Sequence, residues 1–418
     1  MSLNRFCSAL WALIALPWSA AAWTQTQPLT LAEAIERAVE QSPDLTAGQA
    51  EVTAAEALVK PAGQWADPEL VAGIDNLPVT GPDAGSVSAD FMTMRKVGLM
   101  QSLPGFGKRS LRTQRARDAV HVAQAEEVIT TLEIKRQTAQ AWIALAVAEE
   151  TLQQLNALKP AFELQAQLAR AGVSSARVTA TDAVTAQGAL ATFEDRIAIA
   201  NQAVQEARAQ LARWLPNEAT RPLAPSPDFG DLSNTELLAT VHQHAMLAVY
   251  DSRLDAARSE VALAQAERHP DWSVGLVYGK RGAPFSDMVS AEMRVTLPIF
   301  TRSRQNPEIA AKRAQLRRLE AEREAQVRMH TAEVTQELAQ WRTLKTRVAQ
   351  YYDVLLPLAQ QRAQLTLAAL QTGRESVPVV LDAQAAELDV QLKALELRGE
   401  LGRAWAFLTY LVEERSGT

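Results

Sequence analysis

Beyond its seventh residue the chain has no cysteine; the one it carries, Cys7, lies close to the start. A disulfide framework is therefore excluded. Histidine is almost as scarce. His242 and His244 are two apart, while His121, His269 and His330 are scattered. None has zinc-type partners at diagnostic spacing, so no metal site is predicted. After residue 22 no stretch approaches the ~18 uninterrupted apolar residues of a membrane helix. There is also no surplus of positive charge. The formal net charge is −6, which gives no footprint for nucleic acid. Enzyme signatures are missing too: there is no HExxH or GxSxG pattern. Gly105-Phe106-Gly107-Lys108-Arg109 lacks the spacing, and the Ser/Thr after lysine, of a phosphate loop. No catalytic residue and no cofactor are expected.

What the sequence does contain is a leader followed by a composition suited to long helices. Arg5 supplies a positive start, Phe6 to Leu16 an apolar stretch ended by Pro17, and Ala20-Ala21-Ala22 a small-residue cleavage site. Residues 1–22 are thus expected to be a cleaved signal peptide, and Cys7 goes with it. An exported chain without membrane helices is periplasmic, secreted or an outer-membrane β-barrel. From about residue 110 onward Ala, Gln, Glu, Arg and Leu dominate, and these are strong helix formers.

The two halves of the chain resemble each other. At a shift of 202 residues, Val52, Ala55, Val59 and Ala62 fall on Leu254, Ala257, Val261 and Ala264, Pro68 on Pro270 and Gly73 on Gly275. Further on, Leu103-Pro104 matches Leu297-Pro298, Phe106 matches Phe300, and Gly172 pairs with Gly373. We read a duplication: a first repeat over 23–215, a proline-rich connector over 216–232, and a second repeat over 233–418, interleaved as one domain. Each repeat has the same order. A helix (about 30–66 and 233–268) ends at Pro68 or Pro270. A β-hairpin follows, over 68–104 and 271–298, with period-two alternation clearest in Val289, Ala291, Met293, Val295 and Leu297. Next comes a very long helix, about 107–171 and 305–372, with possible bends at Pro160 and Pro357. Its apolar residues recur at three- and four-residue spacing, as in coiled coils. A glycine ends each long helix, and a returning helix (about 178–214 and 379–412) completes the repeat.

Four strands per chain cannot close in lipid. Every strand edge must be paired there, and outer-membrane barrels have at least eight strands. Several copies must contribute, with the apolar strand face toward lipid and the polar face toward water. The long helices, too, have narrow apolar stripes that need partners from other copies. This reasoning leads to an oligomeric barrel with a helical extension and leaves the copy number open.

The whole pattern resembles the TolC family of outer-membrane factors. The resemblance rests on Leu103-Pro104-Gly105-Phe106-Gly107-Lys108-Arg109, on Leu297-Pro298-Ile299-Phe300, and above all on the segment from Gly373-Arg374-Glu375-Ser376 through Leu381-Asp382-Ala383-Gln384. It implies a mainly α fold with a small β part: a homotrimer in outer-membrane lipid, with a 12-stranded β-barrel continuous with a 12-helix periplasmic α-barrel. The implied function is the exit duct of a tripartite efflux system, met by a periplasmic adaptor and an inner-membrane RND transporter. Gly73-Ile74-Asp75-Asn76-Leu77-Pro78, Gly81-Pro82-Asp83-Ala84 and Asp90-Phe91-Met92-Thr93-Met94-Arg95 resemble the heavy-metal branch, whose pumps export copper, silver, cobalt, zinc or cadmium. Other readings are a duct for drugs or type I protein secretion, and a periplasmic coiled-coil structural protein.

By the same resemblance, Asp382 narrows the periplasmic aperture, where three copies would form a negative ring. The family's second aspartate, three residues earlier, is replaced here by Val379. The tips, Gly172-Val173 and Gly373-Arg374, are expected to contact the adaptor. Two basic groups call for a reason, because positive charge at a helix start opposes the helix dipole. They are Lys108, Arg109, Arg112, Arg115 and Arg117 in one, and Arg302, Arg304, Lys312, Arg313, Arg317 and Arg318 in the other. A solvated face, a positive belt near the inner leaflet, and ion pairs to neighbouring helices all remain open. Met92, Met94 and Met100 are read as sharing one strand face, lipid- or core-facing rather than metal-binding.

Overall fold

The computed structural model describes residues 27–175, 178–232, 237–238, 241–283 and 285–411. The expected signal peptide, 1–22, lies outside the described residues.

The helix expected near residue 30 is two helices, α1 (Leu31–Glu40) and α2 (Pro43–Ala62). The break is local chemistry. Pro43 has no N–H to continue α1 but suits a first helical turn, and the Ser42 hydroxyl caps α2 by accepting from Leu45 N at 3.2 Å. Strands β1 (Glu69–Asp75) and β2 (Met94–Leu103) follow. Then α3 runs unbroken through Pro160 from Lys108 to Ser174. Its 67 residues extend about 100 Å. The chain returns as α4 (Ala180–Trp214).

In the second half, the helix expected from about 233 begins only at Ala245, as α5 (Ala245–Ala266). It leads to β3 (Asp271–Lys280) and β4 (Met288–Thr296). The second long helix is interrupted: α6 (Gln305–Gln350), one π-helical turn (Tyr351–Leu355), then α7 (Leu356–Gln371). Pro357 sits in the first turn of α7. A wider turn just ahead of a proline accommodates the ring and the N–H it lacks. Helix α8 (Val377–Thr409) closes the chain. No helix among the described residues is long and apolar enough to cross a membrane.

The four strands form one antiparallel sheet in the order β1-β2-β3-β4, so β1 and β4 are its free edges. Register sorts the side chains onto two unlike faces. One carries Leu70 and Ala72, then Val97 and Leu99, then Trp272, Val274, Leu276 and Tyr278, then Val289, Ala291, Met293 and Val295. Most of these are exposed, Leu276 at 61 % and Met293 at 67 %. The other face carries Asp75, Lys96, Ser102, Ser273, Glu292 and Arg294, with ion pairs Lys96–Asp75 (2.9 Å) and Arg294–Glu292 (3.2 Å). The methionines do not share one face as expected. Met92 precedes β2, while Met94 and Met100 lie on the polar face, Met100 buried against Gly275.

The helices follow the strands. Helices α2, α3, α5 and α6 pack in that sequence, each against the next. The main core sits midway along the long helices. There α1, residues 215–232, and the ends of α6 and α8 close over Trp142 and its neighbours. Trp142 Nε1 donates to Leu29 O (3.1 Å), and Trp341 Nε1 to Phe229 O (3.0 Å). Each indole thus ties a wrapping segment to a long helix.

Candidate functional site

The end of the molecule remote from the sheet collects most of the expected site residues. A second core cluster joins Leu155, Phe162 and Ala169 of α3, Ala183 and Phe193 of α4, and Leu381 and Leu388 of α8, with Val178 and Val377 packed against it. Phe162 and Phe193 stack at 4.3 Å. Because residues flanking both tips enter this one cluster, both chain reversals lie at the same end.

The two reversals differ in construction. At the second, Gly373 is in the left-handed region (φ 68°), where a side chain is strained. Its N–H donates to Leu370 O at 3.0 Å and that of Arg374 to Ala369 O at 2.9 Å, ending α7. At the first, α3 continues past Gly172 and Val173 to Ser174. Gly172 is therefore not the reversing residue the sequence suggested. Close approach explains it instead, since a Cβ there would stand 2.5 Å from Val178 Cγ2. Gly373, Arg374 and Val173 are exposed, and Gly172 is half-buried.

Asp382 and Val379 are one helical turn apart on α8, and both are exposed. The buried side of the same turns is Val380, Leu381 and Ala383. Asp389, two turns beyond Asp382, is paired with Arg196 at 2.7 Å. Among the described residues Asp382 has no such partner.

A second constellation lies where the sheet meets the helices. Phe106 (φ 53°) and Gly107 (φ 72°) take consecutive left-handed conformations and turn β2 into α3. Gly105 is held against Pro270, whose carbonyl oxygen would stand 2.6 Å from a Cβ. Lys108 is 1 % exposed. Its ammonium meets Asp271 Oδ1 (2.9 Å), Glu267 Oε2 (3.1 Å) and His269 O (2.9 Å). Asp271 Oδ1 also accepts from Gly105 N at 3.0 Å. Arg112 pairs with Glu267 (3.4 Å) and Lys312 with Glu260 (2.7 Å). Ion pairing to neighbouring elements, one of three readings left open by the sequence, therefore accounts for Lys108, Arg112 and Lys312. Nothing in the local pattern marked Lys108 as buried.

Sequence reasoning also missed a buried histidine pair. His244 Nδ1 and His330 Nε2 are 2.8 Å apart, and both rings are nearly inaccessible. Burial, and next the neighbouring His330, push the His244 imidazole down to about 4. It is neutral at physiological pH. His330 faces Glu333 at 3.5 Å. The two histidines stand 86 positions apart, so spacing alone could not pair them.

Comparison with known proteins gives a consistent picture. A family model described as outer membrane efflux protein matches residues 34–216 and 240–412. No curated protein matches in sequence. Among solved structures, the chain is similar to CusC, described in connection with transmembrane channel formation, at 18 % identity and TM-score 0.77, covering 91 % of this chain and 92 % of that one. It is similar to the CmeC outer membrane channel of Campylobacter jejuni at 13 % identity and TM-score 0.77, covering 99 % and 96 %. It is also similar to the outer membrane protein VceC of Vibrio cholerae at 19 % identity and TM-score 0.70, covering 90 % and 96 %.

Proposed function

Because this chain belongs to the outer membrane efflux protein family, we propose that it is the exit duct of a tripartite efflux system and conducts heavy-metal cations passively out of the cell. The observation that carries the duct reading is the sheet. It has one exposed apolar face, one charged face, and two free edges. In lipid, free edges leave backbone donors and acceptors unpaired, each at a cost of several kcal/mol. Pairing β4 of one copy with β1 of the next removes that cost, and three copies supply twelve strands. The apolar face then meets lipid and the charged face lines water. Helices α2, α3, α5 and α6 continue each subunit's wall toward the periplasm.

At the far end, three copies of α8 bring three Asp382 carboxylates around the bore. A turn away, three Val379 side chains form an apolar ring, offset by about 4.5 Å along the helix. The acidic ring concentrates cations and repels anions. The valine ring gives a weaker field than a second aspartate would. The tips Gly172-Val173 and Gly373-Arg374 meet a periplasmic adaptor, which favours a dilated arrangement by binding it more tightly than the closed one. An inner-membrane RND transporter supplies the energy, and the duct performs no catalytic step. The leader at 1–22 directs export.

Heavy-metal cargo rests on the loop motifs around Gly73–Pro78 and Asp90–Arg95. The test is a deletion strain scored on transition-metal salts and on drugs, complemented by the wild-type gene. Sensitivity to copper, silver, cobalt, zinc or cadmium is expected. Sensitivity to drugs alone would replace metal with drug cargo, and a soluble monomer in fractionated cells would end the duct reading. In planar bilayers, Asp382→Ala should lower cation-over-anion selectivity and Val379→Asp should raise it. Unchanged selectivity in both removes the aperture role.

A further inference from the structure

The basic residues at the start of α6 are not all accounted for by ion pairs. Lys312 pairs with Glu260, Arg318 with Glu322 and Arg323 with Asp251. Among the described residues Arg313 and Arg317 have no carboxylate partner, nor does Arg268, two residues beyond the end of α5. These three arginines line one open cleft of about 940 Å³ between α5 and the start of α6, together with His269, Thr301 and Asn306. No acidic residue lines it. Asn306, Arg313 and Arg317 recur at seven and four residues, which places them on one face of α6. Three like charges gathered without a counter-charge repel one another, so the arrangement calls for an anion.

The position of the cleft shows which anion. The seam between α5 and α6 has two sides. A separate cleft on one side is lined by Glu260, Glu267 and Glu308 together with Arg115, Arg304 and Lys312, so acids and bases balance there. Glu267 shares Lys108 with Asp271, and Asp271 lies on the charged face of the sheet. The arginine cleft shares no lining residue with that one and is built from residues about 100° further round α6, which we read as the side that continues the apolar face. His269, on its rim, stacks on the exposed ring of Phe106 at 4.2 Å. Thr301 directly follows Ile299 and Phe300, which are 72 % and 66 % exposed. Apolar and aromatic side chains ending in a row of cations mark the level where acyl chains give way to headgroups.

We propose that the cleft of Arg268, Arg313 and Arg317 binds the phosphate of an anionic phospholipid in the leaflet that faces the periplasm. This fixes the depth of the barrel and braces α5 against α6. The proposal rests on the duct reading, because it needs the apolar face to stand in lipid.

The test uses the full-length protein in detergent micelles doped with phosphatidylglycerol, phosphatidylcholine, or inorganic phosphate alone. The readout is the temperature at which the oligomer dissociates, titrated to an apparent affinity. Phosphatidylglycerol is expected to stabilise the wild type, and phosphatidylcholine and free phosphate to have little effect. Arg313→Gln/Arg317→Gln should weaken the phosphatidylglycerol response roughly thirtyfold. Arg318→Gln, on the same helix but outside the cleft, should leave it intact. If the double variant does not assemble, the three single Arg→Gln variants should each show a partial loss. Equal stabilisation by phosphatidylcholine, equal stabilisation by free phosphate, or an undiminished response in the cleft variants would each overturn the proposal. Failure of the duct reading is separate: the wild type would then not enter phosphatidylglycerol vesicles as an oligomer at all.

Discussion

Removing the charge of Lys108 while keeping its length, as Lys108→Met, tests the junction between sheet and helices. The ammonium is fully buried and has four oxygens within 3.1 Å, two from Asp271 and one each from Glu267 and the His269 carbonyl. Deleting one member of such a buried group costs about 3–5 kcal/mol, because the charges left behind lose their counter-ion. Here the side chains of Asp271 and Glu267 remain about one-third exposed, so water recovers part of that loss. We therefore expect the lower end, about 3 kcal/mol. The loss should not stay local. Asp271 also holds Gly105 N, and through it the left-handed turn at Phe106 and Gly107 that aims α3. The assay is chemical denaturation of the detergent-solubilised protein, with Lys108→Met, Asp271→Asn and the double variant forming a cycle. Asp271→Asn should cost less than Lys108→Met, since the lysine keeps Glu267 and the carbonyl. The double variant should cost at least about 1 kcal/mol less than the sum of the singles. A Lys108→Met protein within about 0.5 kcal/mol of wild type, or strict additivity, would refute the reasoning.

Three further outcomes are expected. His244 is neutral when folded because its imidazole is depressed to about 4, so the unfolded chain takes up a proton first as pH falls below its ordinary value. The stabilisation is complete above roughly pH 6.5 and falls toward pH 4, by about 2 kcal/mol between pH 7 and pH 5. His244→Phe should flatten that part of the pH profile of denaturation, and an unchanged slope would exclude His244 as its source. Gly373→Ala forces a side chain into the left-handed region and should cost about 1 kcal/mol, seen as faster hydrogen exchange confined to the ends of α7 and α8. Trp142→Phe removes one of the two donors to the Leu29 carbonyl, which keeps Ala224 N at 3.0 Å, and should cost roughly 1 kcal/mol, read as faster proteolysis ahead of α1 with α3 intact.

Several elements were legible because their causes are local. Period-two alternation in Val289–Val295 and helical spacing from residue 108 onward reflect side-chain geometry within a single element. They gave the strands and the long helices to within a few residues. Misreadings came where a single residue outweighs periodicity. The Ser42-Pro43 pair splits a continuous apolar stripe into α1 and α2, and Pro357 calls for a π turn rather than a simple bend. Gly172 was read as a turn residue because glycine suits turns, but it serves the close approach of Val178. The three methionines were placed on one face by parity, although Met92 lies outside the strand.

The sequence alone determined which segments are helix and which are strand, and that four strands are too few to close in lipid, since both follow from periodicity and from the backbone's need for partners. Only the tertiary structure decided which distant residues meet. Lys108 reaches Asp271 across more than 160 positions, His244 reaches His330 across 86, and three unpaired arginines from two helices line one cleft. A charge or an imidazole looks the same in sequence whether solvated or buried. What sets its role is the set of groups that packing brings within a few ångströms.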